Sequence, residues 1–226
     1  MSSTQVEPVV PAQGRAAATP QLPAEVAVSG LPPLASGVPV AVFSFAVVIT
    51  MLSLSNTGLI KSAALFVPVA MVMGVVGIGI GGLYEIRNGD LFGGTFGIAY
   101  AGFLLATGLT LKFFAPAADA DAATTAAFGD ALGSWFLLWA LISFVFAVAA
   151  TLVNTTAVAA FALLGIVLLL AGLANIVGGD AATGLTEAAG WAGLADGVAA
   201  FWLAIGLLLN TMFGRDLLPL GPARAA

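Results

Sequence analysis

Neither cysteine nor histidine occurs anywhere in the 226 residues. The first absence excludes disulfides, thiolate nucleophiles and thiolate metal sites, and the second removes the commonest metal ligand, general base and pH-sensing side chain. Charge is scarce too, since 8% of the residues are Asp, Glu, Lys or Arg where a soluble globular domain carries roughly a quarter. Six basic against eleven acidic residues leave a net charge of -5, the wrong sign for a nucleic-acid partner. With no His/Cys cluster, no carboxylate pair at catalytic spacing and no cofactor loop, neither an enzyme nor a cofactor nor a metal is expected.

What the chain has is apolar length: 61% of it is hydrophobic. A helix crossing the hydrocarbon core needs about 20 mostly apolar residues, and six such segments follow one another. They are expected at Val38 to Leu59, Ala63 to Ile86, Phe92 to Phe114, Ala131 to Leu152, Ala157 to Val177 and Ala188 to Leu209. The predicted fold is an all-α integral membrane protein of six transmembrane helices. Residues 1–36, rich in Ala, Pro, Val and Ser and without an aromatic residue, read as a disordered N-terminal tail. Residues 37–221 form the six-helix domain, and 222–226 a short C-terminal tail. An even number of spans puts both termini on one side. Arg15, Arg87, Arg215 and Arg224 share that side while Lys61 and Lys112 face the other, which favours cytoplasmic termini in a plasma (inner) membrane.

Within the spans three features carry information. Glycines are dense in the second and third, with Gly77/Gly81 and Gly93/Gly97 spaced for close helix packing; a broken half-helix over Gly89 to Gly97 is the alternative reading. Asparagines recur near span ends, and Asn56 and Asn175 are either helix terminators or amides that meet an incoming solute. Carboxylates are the rarest feature. Glu85 closes the second span and Asp196 lies about eight residues into the sixth, roughly 12 Å along it. An ionisable group at that depth is a functional candidate because burying it is costly. Asp196 can face a solute pathway, an interface between protomers, or solvent at a late-starting helix end.

Two stretches carry a resemblance. Glu85 to Tyr100 reads E-I-R-N-G-D-L-F-G-G-T-F-G-I-A-Y, and the C-terminal part reads G-W-A-G-L from Gly190, then Asn210, Phe213-Gly214-Arg215 and Leu218-Pro219-Leu220-Gly221. Together they resemble the acetate uptake transporters, which include the bacterial succinate-acetate proton symporters. The resemblance runs from Gly37 to Gly221. The family's opening signature Asn-Pro-Ala-Pro-Leu-Gly-Leu stands here as Ser36 to Val42, with Pro39 retained, and the family lacks an acidic residue at the position of Asp196.

The resemblance implies transport of acetate and related short-chain carboxylates, succinate among them, by a proton-coupled symporter or an anion channel. It also implies a hexamer of six-helix protomers, each with a pathway narrowed by Phe45, Tyr100 and Leu164. Asn56, Thr95, Asn175 and Pro39 are then substrate-binding candidates, and Glu85 and Asp196 are proton-coupling candidates. A channel for another small solute, or a membrane scaffold or sensor without transport, are the competing readings. Flux into liposomes separates them.

Overall fold

A computed structural model describes residues 35–224, and within them every regular element is helical. Six helices are long and apolar enough to cross a membrane. They are α1 (Val38–Asn56), α2 (Phe66–Asn88), α3 (Leu91–Phe113), α4 (Ala122–Ala150), α5 (Thr155–Val177) and α6 (Gly179–Phe213). Apart from Ala35 and Ser36, the segment read as a tail lies outside the described residues.

Local chemistry sets the helix starts. Pro39 sits in the first turn of α1, where its missing N–H costs nothing. Asp90 opens α3 by accepting from the Gly93 N–H at 3.1 Å, Asp121 opens α4 by accepting from Thr124 at 2.8 Å, and Asn154 opens α5 by accepting from Ala157 at 2.8 Å. The expected half-helix over Gly89 to Gly97 does not form. Gly89 takes a left-handed φ of 80° and ends α2, Asp90 caps the next helix, and α3 runs unbroken through the glycines. The irregularity lies one helix earlier, where Met73–Gly79 of α2 winds as a π-helix.

Two helices begin well before the expected positions. Capping by Asp121 extends α4 upstream from Ala131 through an Ala/Thr stretch. Likewise α6 starts at Gly179, directly after Gly178. At 35 residues it is about 52 Å long, well beyond the ~30 Å hydrocarbon core, so its ends reach past the apolar layer. Asp196 therefore lies in the middle of α6, which removes the reading of a solvated helix end.

The helices form a ring in chain order, each packed on its neighbours, with α6 closing onto α1. Small residues allow the tight contacts. A Cβ on Gly82 would stand 2.7 Å from the Gly97 Cα, and one on Gly133 would stand 2.6 Å from the Gly172 carbonyl oxygen, so α2/α3 and α4/α5 touch backbone to backbone. The α3/α4 seam differs, because its backbones barely meet and large side chains fill the gap. Phe103 stacks on Trp135 at 5.9 Å and packs on Trp139 at 4.6 Å, while Trp135 Nε1 donates to Thr107 Oγ1 at 3.0 Å. After α6, Asn210 Oδ1 accepts from the N–H groups of Leu217 and Leu218 and turns the chain back. The Arg224 N–H then reaches the Thr151 carbonyl at 2.7 Å, which ties the C-terminal segment to the α4–α5 turn.

Candidate functional site

Two cavities lie inside the ring, one toward each end. The first, about 530 Å³, is lined by the start of α1, the α2–α3 and α4–α5 turns and the end of α6, on the side where the described chain begins and ends. The second, about 240 Å³, is lined by the opposite ends of α1, α3 and α5. Phe45 lines both. Around it the interior is closed by rings: Phe96 lies 6.4 Å from Phe45, 5.4 Å from Tyr100 and 5.3 Å from Phe161, and Phe146 stacks on Phe161 at 5.2 Å. Tyr100 and Leu164, both buried, share the wall of the second cavity with Phe45.

The aromatic plug is fixed from one side by a polar contact. Tyr100 Oη lies 2.7 Å from Ser143 Oγ, and Ser143 in turn donates to the Trp139 carbonyl at 2.7 Å. A phenol needs such a partner to be buried at little cost. Polar groups flank the plug on both sides. Ser36, Asp90, Asn154 and Thr211 line the first cavity; Asn56, Thr107, Asn175 and Thr186 line the second.

Of the binding candidates, Pro39 lines the first cavity, and Asn56 and Asn175 the second. The Asn175 amide donates to Ala171 O at 2.8 Å, a bond back to its own helix. Thr95 is elsewhere: it stands exposed on the outer face of α3 and lines neither cavity. Helical rotation explains the miss, because Gly94 and Phe96 on either side of it take the two buried directions.

Glu85 has a structural task. Its buried carboxylate accepts from the Gly37 N–H and, at 2.9 Å, from Ser36 Oγ, which anchors the start of α1 to the end of α2. Helix starts leave unsatisfied N–H groups, and an acidic side chain from a neighbouring helix supplies one here. Asp196 is fully buried, and neither of its carboxyl oxygens has a hydrogen-bond partner.

This arrangement matches known proteins over most of its length. Residues 21–216 match the GPR1/FUN34/yaaH family. The chain belongs to that family. It is similar to the succinate-acetate/proton symporter SatP of Escherichia coli K12, 30% identical over 188 residues, 83% of this chain and 96% of the relative, and it matches SatP of Shigella flexneri equally well. Among solved structures it resembles the bacterial acetate channel SatP, with a TM-score of 0.72 and 27% identity over 83% of this chain and 99% of that one.

Sequence reasoning on this GPR1/FUN34/yaaH member missed Phe96, Phe161 and Ser143. The first had a visible signal, since Phe92, Phe96, Tyr100 and Phe103 recur at helical spacing along α3 and mark one aromatic stripe. Phe161 and Ser143 had none, because a lone Phe or Ser in an apolar span looks like any other core residue.

Proposed function

We infer that the protein carries acetate and related short-chain carboxylates across the membrane. The observation that carries this reading is the pair of cavities that meet at Phe45, one toward each face of a six-helix ring. A small monocarboxylate suits such a path. Its methyl end tolerates a neck of Phe45, Phe96, Tyr100, Phe161 and Leu164, while its carboxylate is solvated by amides and hydroxyls on either side. An apolar neck excludes solutes by steric fit and by dewetting, and a bare anion crosses a dry segment at high cost. Passage therefore favours small solutes that cross with a proton or whose charge is offset on the way. Acetate, being the smallest common carboxylate with an apolar end, meets both demands; succinate, with two carboxylates, meets them less well.

Both termini are assigned to the cytoplasmic face of the inner membrane, on the distribution of basic residues. The assembly is a hexamer, supported by the resemblance to the acetate uptake transporters. Native mass spectrometry in mild detergent should give six protomers, and a stable monomer would remove the ring.

The transport reading is tested with purified protein in liposomes. Labelled acetate should enter faster than into empty liposomes, and unlabelled short carboxylates should compete. Folded, correctly inserted protein that gives no acceleration would sink it.

A further inference from the structure

Asp196, midway along α6, is fully buried, and among the described residues neither of its carboxyl oxygens has a hydrogen-bond partner. Gly193 and Gly197 on either side of it press α6 against α1, where a Cβ would meet Ser53 Oγ and Thr50 Oγ1 respectively. Val167 of α5 stands 3.5 Å from the Cβ position of Gly193. Asp196, between these two glycines along α6, is fully buried at the level of Thr50 and Ser53.

That level is just beyond the neck. On α1, Phe45 belongs to both cavities, and Val48, Ile49 and Leu52 line the second. On α5, Leu164 and Val167 line the second. On α6, Ala200, one turn after Asp196, lines the first. Asp196 itself lines neither cavity and is fully buried, one turn before the cavity-lining Ala200 and level with the α1 residues just past Phe45.

The groups around it cannot neutralise a charge. At its level α1 presents the hydroxyl-bearing Thr50 and Ser53 to the flanking glycines, and Ser53 Oγ already donates to the Ile49 carbonyl at 2.7 Å. From α5, Val167 stands beside Gly193, about one turn before Asp196, and on α3 the titratable Tyr100 lines the second cavity with Phe45 and Leu164. Glu85 is committed to the start of α1. Two buried carboxyl oxygens without a hydrogen-bond partner point to an occupant, and the smallest that fits is a proton.

We propose that Asp196 is a proton-binding site whose charge state sets whether an anion can pass the neck. With a proton bound the junction is neutral and admits carboxylates. With the proton released, a negative charge stands beside the narrowest part of the path, in surroundings where charges act over longer distances than in water. The step balances: the O–H bond breaks, the electron pair stays on the carboxylate, and the proton leaves to water in a cavity. The proposal rests on the transport reading and adds to it a charge filter at the neck.

The experiment compares the wild-type protein with Asp196→Asn and Asp196→Ala in liposomes over a range of pH. Alanine fits among Gly193, Gly197 and Ala200 if the amide does not. The substrate's own titration is common to all three proteins, so the ratio of rates isolates the side chain. The wild-type rate relative to either variant should fall about tenfold from the lowest to the highest pH of the series, because only the wild type gains the blocking charge. Infrared difference spectra should show a protonated-carboxyl band that titrates in wild type and is missing from both variants. A constant ratio across the range, with flux present, overturns the proposal and leaves the transport reading standing. No flux above empty liposomes from any of the three, at any pH, overturns the transport reading itself and the proposal with it.

Discussion

Tyr100 Oη and Ser143 Oγ lie 2.7 Å apart, and this contact bridges the α3/α4 seam of the ring. At the α2/α3 and α4/α5 seams glycines bring the neighbouring backbones into contact. At α3/α4 the backbones stand off, and the interval is occupied by Tyr100, Phe103, Trp135 and Trp139. The same tyrosine edge lines the second cavity. A contact that holds two helices together thus also sets the position of a side chain at the neck.

The first prediction follows from that coupling. Ser143→Ala leaves a buried phenol without its partner, which costs about 1–3 kcal/mol. Tyr100→Phe in the same background removes the orphaned hydroxyl, so the double variant should recover most of the loss. Thermal unfolding in detergent reads both effects. A double variant as unstable as Ser143→Ala alone would show that the contact contributes nothing.

A second prediction concerns the α2/α3 contact. A Cβ on Gly97 would fall on the backbone of Gly82, and backbone cannot rotate aside as a side chain can. Gly97→Ala should destabilise the protein by about 1–3 kcal/mol and lower the yield of monodisperse protein. Gly102→Ala is the matched control, since nothing lies within 4 Å of its Cβ position. Equal thermal midpoints for the two variants would contradict the packing described for this seam.

The six spans were legible in the sequence because hydropathy reports directly on what a bilayer demands, and α1, α3 and α5 lie close to where composition puts them. The starts of α4 and α6 were not, because helix continuation outside the hydrocarbon depends on caps and on Ala-rich propensity, which hydropathy does not weigh. The site was less legible. Pro39, Asn56 and Asn175 do reach the cavities, yet Thr95 faces outward, because one residue of helical rotation separates a lining position from an exposed one. Glu85 announced itself as an ionisable group near a membrane, but a cap supplied by one helix to another is a tertiary contact with no local signal. Asp196 was visible as an oddity, and its complete burial without a hydrogen-bond partner only as structure.

A third prediction concerns pH at the edge of the membrane. Hydrogen bonds from the Thr124 N–H and hydroxyl hold the exposed Asp121 carboxyl below its ordinary value. A carboxylate lowered in the folded state stabilises it above the unfolded value and loses that contribution as the pH falls through the folded one. The first turn of α4 should therefore fray below about pH 4. Hydrogen exchange at the Thr124 amide is the readout, corrected for intrinsic rates. Protection that is unchanged through that range, or equal in Asp121→Ala at neutral pH, would mean the cap does not hold the turn.

The last prediction addresses the neck. Leu164 is buried at 3% exposure on α5 and lines the second cavity beside Phe45 and Tyr100. Leu164→Ala removes bulk at a point where the rings leave little else to move, so the steric and dewetting barriers fall together. Acetate already fits and gains little. A four-carbon carboxylate gains more, and its uptake relative to acetate should rise about tenfold, equivalent to about 1.4 kcal/mol of barrier. Truncation of a buried leucine also loosens the fold by about 2–5 kcal/mol, which a change in selectivity has to be separated from. Leu164→Met keeps the volume and serves that purpose: it should hold the wild-type ratio, while Ile166→Ala, on the outer face of the same helix, should leave the ratio unchanged as well. If all three variants shift the ratio alike, general loosening of α5 accounts for the effect. If Leu164→Ala leaves it at the wild-type value, Leu164 does not narrow the path.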